Sequence, residues 1–151
     1  MITHIILDSG PLGLLFQRTG VVPAERCRAW VRTHLANGTN LVVPEIIHYE
    51  IRRELLRLRK RRAIDAMERF LQADAHRLLR LTSKDLLLAA ELWAQSRQRG
   101  TPTADIHALD IDVILCAQVL NCGVPLSDLV IATTNAKHLL QFAPAKEWSE
   151  I

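Results

Sequence analysis

At 151 residues the chain is the size of one domain, with 49% hydrophobic residues to build a core and 23% charged residues, an ordinary share for a soluble globular protein. A formal charge of +3 and a pI near 9.0 permit a nucleic-acid partner without demanding one. No window approaches the ~20 apolar residues of a membrane span, and the N-terminal apolar run ends too early for a signal peptide, so a cytosolic protein forming a single domain over residues 1–151 is expected.

Ile2 to Leu7 is a short, mostly apolar run, the pattern of a strand buried on both faces, and it ends directly on Asp8. Ser9-Gly10-Pro11 turns the chain into a short helix through Phe16. A second helix is predicted from roughly Ala24 to Leu35, entered at Pro23 and closed by Asn37-Gly38. A second strand follows at 40–43, then helices over 45–59 and 62–73, and His76 to Leu81 reads as a third strand. Thr82 and Ser83 cap a helix that runs to about Arg99, where Gly100 ends it. After the loop-like Thr101-Pro102-Thr103 come an apolar helix at 111–122, a strand at 129–134 and a short helix past Asn135. Cys27, Cys116 and Cys122 sit in helical, mostly apolar stretches with neither zinc nor disulfide spacing, and read as small buried thiols.

Strands alternating with helices predict an α/β fold with a mainly parallel sheet flanked by helices. Ligands of such sheets bind outside the carboxyl ends of the strands. Polar groups collect at those ends: Asp8 after the first strand, Glu50 on the helix after the second, and Asn135 after the last. Asp110 and Asp112 open the apolar 111–122 helix. Hard oxygen ligands of this kind select Mg²⁺ or Mn²⁺ over zinc.

Each residue also has a structural explanation. Asp8 is well placed to cap the following helix. On the 45–59 helix, Ile47, Ile51, Leu55 and Leu58 form the expected buried stripe, with Glu50 on its border and Arg53 one turn away as a salt-bridge partner. Glu50 is the better ligand than Glu54 because it lies nearer the strand end, while Glu45 is explained by the helix dipole. Asp110 is the natural N-cap of a buried helix, which leaves Asp112 as the ligand candidate. Asn135 caps a helix or holds a water, with Thr133 and Thr134 beside it, and His138 reads as a surface residue. Arg52, Arg53, Arg57, Arg59, Lys60, Arg61 and Arg62 crowd one stretch, either a solvated face or a phosphate-tracking patch. A haloacid-dehalogenase-type phosphatase wants a second acid where Gly10 stands, and no P-loop is present.

Four segments, ILDSGPL at 6–12, VVPEIIHYEIRREL at 42–55, LDIDVILCAQVL at 109–120 and IATTNAKHL at 131–139, resemble the ordered motifs of PIN-domain nucleases, most of all VapC-type toxins and their stand-alone relatives. The resemblance spans nearly the whole chain and implies a three-layer α/β/α sandwich. Its acids fall on Asp8, Glu50 and Asp112, with Asn135 at the fourth position, Ser9 in a supporting place and Asp110 as an extra acid. It implies a Mg²⁺- or Mn²⁺-dependent endoribonuclease in which Asp8, Glu50, Asp112 and Asp110 are metal-ligand candidates, with Asn135 fixing a water. Arg53, Arg57, Lys60, Arg61 and Arg62 would meet the RNA backbone. A homodimer and a cognate antitoxin are the further partners it implies. A non-cutting module that binds RNA or protein, and a phosphate-binding enzyme using the 133–135 helix start, are the alternatives.

Overall fold

The structure, a computed structural model, describes residues 1–105 and 110–151. Five strands form one parallel sheet: β1 (His4–Leu7), β2 (Asn40–Pro44), β3 (Leu78–Leu79), β4 (Leu129–Thr133) and β5 (Ala145–Glu147), in the order β3-β2-β1-β4-β5. On β1, Ile5 and Ile6 are each 1% exposed and Leu7 is 0% exposed. Since successive side chains point to opposite faces, both faces of the sheet are covered and the architecture has three layers. The helices that cover it are α1 (Ser9–Leu15), α2 (Val22–Ala36), α3 (Glu45–Arg57), α4 (Arg61–Gln72), α5 (Ser83–Gln98), α6 (Ile111–Asn121) and α7 (Ala136–Leu139).

The strand order reverses beside β1. The chain proceeds from β1 outward to β2 and β3, then returns to place β4 on the other side, with Ile5 aligned to Leu41 on one neighbour and to Val130 on the other. The α/β crevice therefore opens between the carboxyl ends of β1 and β4, which lead into Asp8 and Asn135.

α6 is the buried helix its composition predicts, with Val113 to Val119 all inside. Its one buried polar residue, Gln118, donates from Nε2 to the Leu79 carbonyl at 2.8 Å and accepts the Ile46 N–H at 3.2 Å. It thereby joins the end of β3 to the first turn of α3 and fixes the helix that carries Glu50. Glu45 strengthens the junction by accepting the Leu81 N–H at 2.6 Å. At the head of α5, Thr82 and Asp85 form a reciprocal capping box, and Asn121 donates to Asp85 at 2.9 Å, tying α5 to the end of α6.

Three expectations need correction. The strand foreseen over 76–81 contracts to Leu78–Leu79, because Arg77 N–H turns back to the Asp74 carbonyl and Leu81 N–H is claimed by Glu45. Leu58 is not part of the buried stripe: it lies at the C-cap of α3 and is 43% exposed, while Ile46 takes an inner position. β5 was not foreseen at all, since Ala-Lys-Glu carries no strand pattern and pairs only because β4 offers an open edge. The cysteines are free thiols, Cys27 and Cys116 buried and Cys122 partly so. No helix among the described residues is long and apolar enough to cross a membrane.

Candidate active site

Asp8 leaves β1 in an extended conformation and caps α1, its Oδ1 accepting the Ser9 N–H at 2.7 Å. Its other oxygen accepts the Thr133 hydroxyl, also at 2.7 Å, and Thr133 Oγ1 in turn accepts the Asn135 N–H at 2.9 Å. Thr133 is wholly buried. It links the two strand ends of the crevice and sets the direction of the Asp8 carboxyl. Asp8 thus caps α1 with one oxygen while the other faces Thr133 across the crevice. Burial raises its pKa above the ordinary carboxylate value, opposed by the hydrogen bonds from Thr133 and Ser9.

Glu50 lies half-buried on α3, and its Oε2 is buried without a hydrogen-bond partner. Burial raises its pKa first and the charge of Asp8 second, with the Ser9 hydroxyl and Arg53 acting in the other direction. The foreseen Glu50–Arg53 salt bridge does not form among the described residues; Arg53 instead lies over the Tyr49 ring, 5.2 Å from its centroid. Asp112, in the first turn of α6, is pushed up to about 6 by burial, then by Asp8 and Asp110, with a smaller push from Glu50. His138 Nδ1, 3.8 Å from Asp112 Oδ2, opposes those charges. Asp8, Glu50 and Asp112, drawn from three separate elements, thus lie within reach of one another's charge.

Asp110 is the N-cap of α6: one oxygen accepts the Val113 N–H at 3.2 Å and the other takes the Thr103 hydroxyl. With both oxygens engaged it contributes charge to Asp112 more readily than a ligand atom. Asn135 occupies the N-cap position of α7, but its side chain makes no capping bond. It is exposed, with Nδ2 3.3 Å from His138 Nδ1. His138, taken from the sequence as a surface residue, is exposed and yet belongs to the acids' surroundings. Its position three residues after Asn135 on one short helix was the available signal. Thr134 packs over Gly10 at the crevice rim, where a Cβ on Gly10 would sit 2.5 Å from Thr134 Oγ1.

The basic run divides by partner. Arg52 pairs with Glu68 at 2.8 Å and Arg57 with Glu54 at 2.5 Å, while Lys60, Arg61 and Arg62 are exposed at the α3–α4 junction. A groove of about 420 Å³ runs from Ser9, Gly10 and Thr134 past Glu54 to Lys60, joining the rim of the acids to that junction. A larger cavity of about 730 Å³, lined by Ile2, His34, Leu126 and Lys146 among others, touches none of the acids.

These residues suit a hard divalent cation. The donors are carboxylate oxygens, one of them the orphaned Glu50 Oε2, and a cation would offset the burial and the repulsion that raise the Glu50 and Asp112 pKa values. Among the described residues no three His, Cys, Asp or Glu side chains close into a ready-made metal cage. Mg²⁺ needs only one or two carboxylates besides water.

No protein-family model matches the chain, and no curated protein is a significant match in sequence. In structure it is similar to a chain in the crystal structure of DNA-bound VapBC from Salmonella typhimurium, with TM-score 0.69, 16% identity and coverage of 98% of this chain and 99% of that one. A chain of VapBC2 from Rickettsia felis, bound to a DNA fragment from their promoter, gives 0.68 at 12% identity over 95% and 97%. A chain of FitAcB from Neisseria gonorrhoeae gives 0.67 at 16% identity over 97% and 99%. At these identities the likeness is one of architecture, and it extends end to end: the chain shares the parallel α/β fold of those VapBC and FitAcB chains.

Proposed function

We propose that this chain is a Mg²⁺- or Mn²⁺-dependent endoribonuclease hydrolysing RNA phosphodiester bonds, and the toxin of a toxin–antitoxin pair. The reading is supported by the charge that Asp8, Glu50 and Asp112 place on one another beside the ends of β1 and β4, with a buried Glu50 oxygen left unpartnered. When bound, a divalent ion supplies Lewis acidity to the scissile phosphate and the attacking water. Asp8, Glu50 and Asp112 would hold it. Thr133 orients the Asp8 carboxyl, and Asn135 and His138 stand on the exposed side of Asp112 to position water. The exposed Arg53, Lys60, Arg61 and Arg62 bind the RNA backbone, with Arg57 available once Glu54 releases it, an interaction that salt weakens.

The toxin role is supported by the fold shared with VapBC and FitAcB chains. A cognate antitoxin and a homodimer are the partners proposed with it. Purified protein incubated with mixed RNA should cut with Mg²⁺ or Mn²⁺ and stop with EDTA. Asp8→Asn should lower cleavage at least about a hundredfold, equivalent to roughly 2.7 kcal/mol of transition-state stabilisation. The absence of a closed three-ligand cage among the described residues favours one alternative, a non-catalytic module that binds RNA or a partner. RNA binding with no ion-dependent cleavage at any metal concentration would establish that alternative.

A further inference from the structure

Tyr49, the chain's one tyrosine, stands on α3 immediately before Glu50 and is 50% exposed. A ring left half in water gains little from packing. One side of it is claimed, however: the Arg53 guanidinium lies 5.2 Å from the ring centroid. The neighbouring arginines of α3 are treated differently, Arg52 by Glu68 and Arg57 by Glu54. Among the described residues Arg53 makes neither a hydrogen bond nor an ion pair, so its N–H donors stay open beside the ring. An exposed aromatic with an adjoining planar cation, one residue from a site acid, offers a π-face to a base and donors to the next phosphate.

We propose that Tyr49 and Arg53 form a nucleobase-stacking site. An unpaired base of the RNA strand stacks on the open part of the Tyr49 ring, and Arg53 binds the adjoining phosphate. Arg53 lies one turn along α3 from both Tyr49 and Glu50, so the phosphate it binds is brought toward that acid, which sets where the strand is cut. This inference rests on the nuclease reading above and adds a substrate feature to it: a single-stranded nucleotide flanking the scissile bond.

The single tyrosine makes the test direct. The full chain carrying Asp8→Asn, so that RNA is bound without being cut, is labelled with 3-fluorotyrosine to give one ¹⁹F resonance. That resonance should move on titration with a short single-stranded oligoribonucleotide and stay in place with an abasic strand of the same length and charge. Tyr49→Ala should weaken oligonucleotide binding roughly five- to a hundredfold, the usual range for losing one stacked base, whereas Tyr49→Trp should keep it. Circular dichroism checks that both variants fold. If RNA leaves the resonance unmoved, or if Tyr49→Ala binds like its parent while the unmutated protein still cuts RNA, the stacking site is wrong and the nuclease reading stands. A protein that neither binds nor cuts RNA overturns both. A resonance that moves only with protein concentration assigns the ring to a contact between protomers and overturns the stacking site.

Discussion

At the scale of single residues, the acids are arranged against their own stability. Asp112 has an ordinary pKa of 3.8 in the unfolded chain and about 6 in the metal-free fold, because burial and the charges of Asp8, Asp110 and Glu50 disfavour its ionised form. A carboxyl raised on folding binds its proton more tightly in the native state. Its contribution to stability is therefore full below the unfolded pKa and is lost as pH rises through the folded one. In EDTA the protein should lose stability from about pH 4 to 7, by ~1–2 kcal/mol from this group once its partial exposure is discounted. Asp112→Asn should flatten that slope in chemical unfolding followed across pH. A variant with the parent's pH dependence would show that Asp112 is not the strained acid. Adding Mg²⁺ should restore stability to the parent at pH 7 and much less to the variant, since a ligand that binds only the folded state stabilises it.

At the scale of elements, the site depends on two junctions. The first turn of α1 and the turn after β4 meet at Gly10 and Thr134, where an added Cβ would lie 2.5 Å from Oγ1, 2.7 Å from Cγ2 and 3.1 Å from Cβ of Thr134. Gly10→Ala should cost about 1–3 kcal/mol through overpacking and lower RNA cleavage by moving Asp8 relative to Asn135. Thr134→Ala removes the two nearest atoms, so the double variant should recover most of that stability. Equal losses in the single and double variants, measured by urea unfolding, would place the strain elsewhere. The second junction is Gln118, 1% exposed, between Leu79 and Ile46. Gln118→Leu leaves a partly buried carbonyl and a buried N–H without their partner and should cost about 2–4 kcal/mol. A loss below about 1 kcal/mol in the same measurement would mean that water replaces the amide.

At the scale of the whole molecule, the strand order turns a dispersed set of residues into one crevice, while the outer surface keeps apolar groups in water. Leu87 is 71% exposed, Val22 69%, Leu140 58% and Leu86 48%. Exposed apolar area of this kind suits a protein partner or a second copy. Light scattering should return a mass near twice 17.1 kDa. A mass of one chain at every concentration would remove the homodimer and leave that surface to an antitoxin.

What the sequence by itself determined is what short-range physics encodes. Apolar runs marked β1, β2 and β4, the all-round apolar pattern marked α6 as buried, and capping chemistry placed Asp110 at its start and Thr82 before α5. Asp8, Glu50, Asp112 and Asn135 could be proposed as site residues because each follows, or lies near, the carboxyl end of a strand or the start of a buried helix. Only the tertiary structure decided the order β3-β2-β1-β4-β5, and with it which strand ends lie side by side. It recruited Ala145–Glu147 to an open edge, placed His138 beside Asp112, gave Arg53 to Tyr49 instead of Glu50, and left Leu58 in solvent. Repulsion between carboxylates, the hold of Thr133 on Asp8 and the contact of Thr134 with Gly10 depend on separation in space. Those separations arise from long-range strand pairing, which leaves no periodic trace in a single chain.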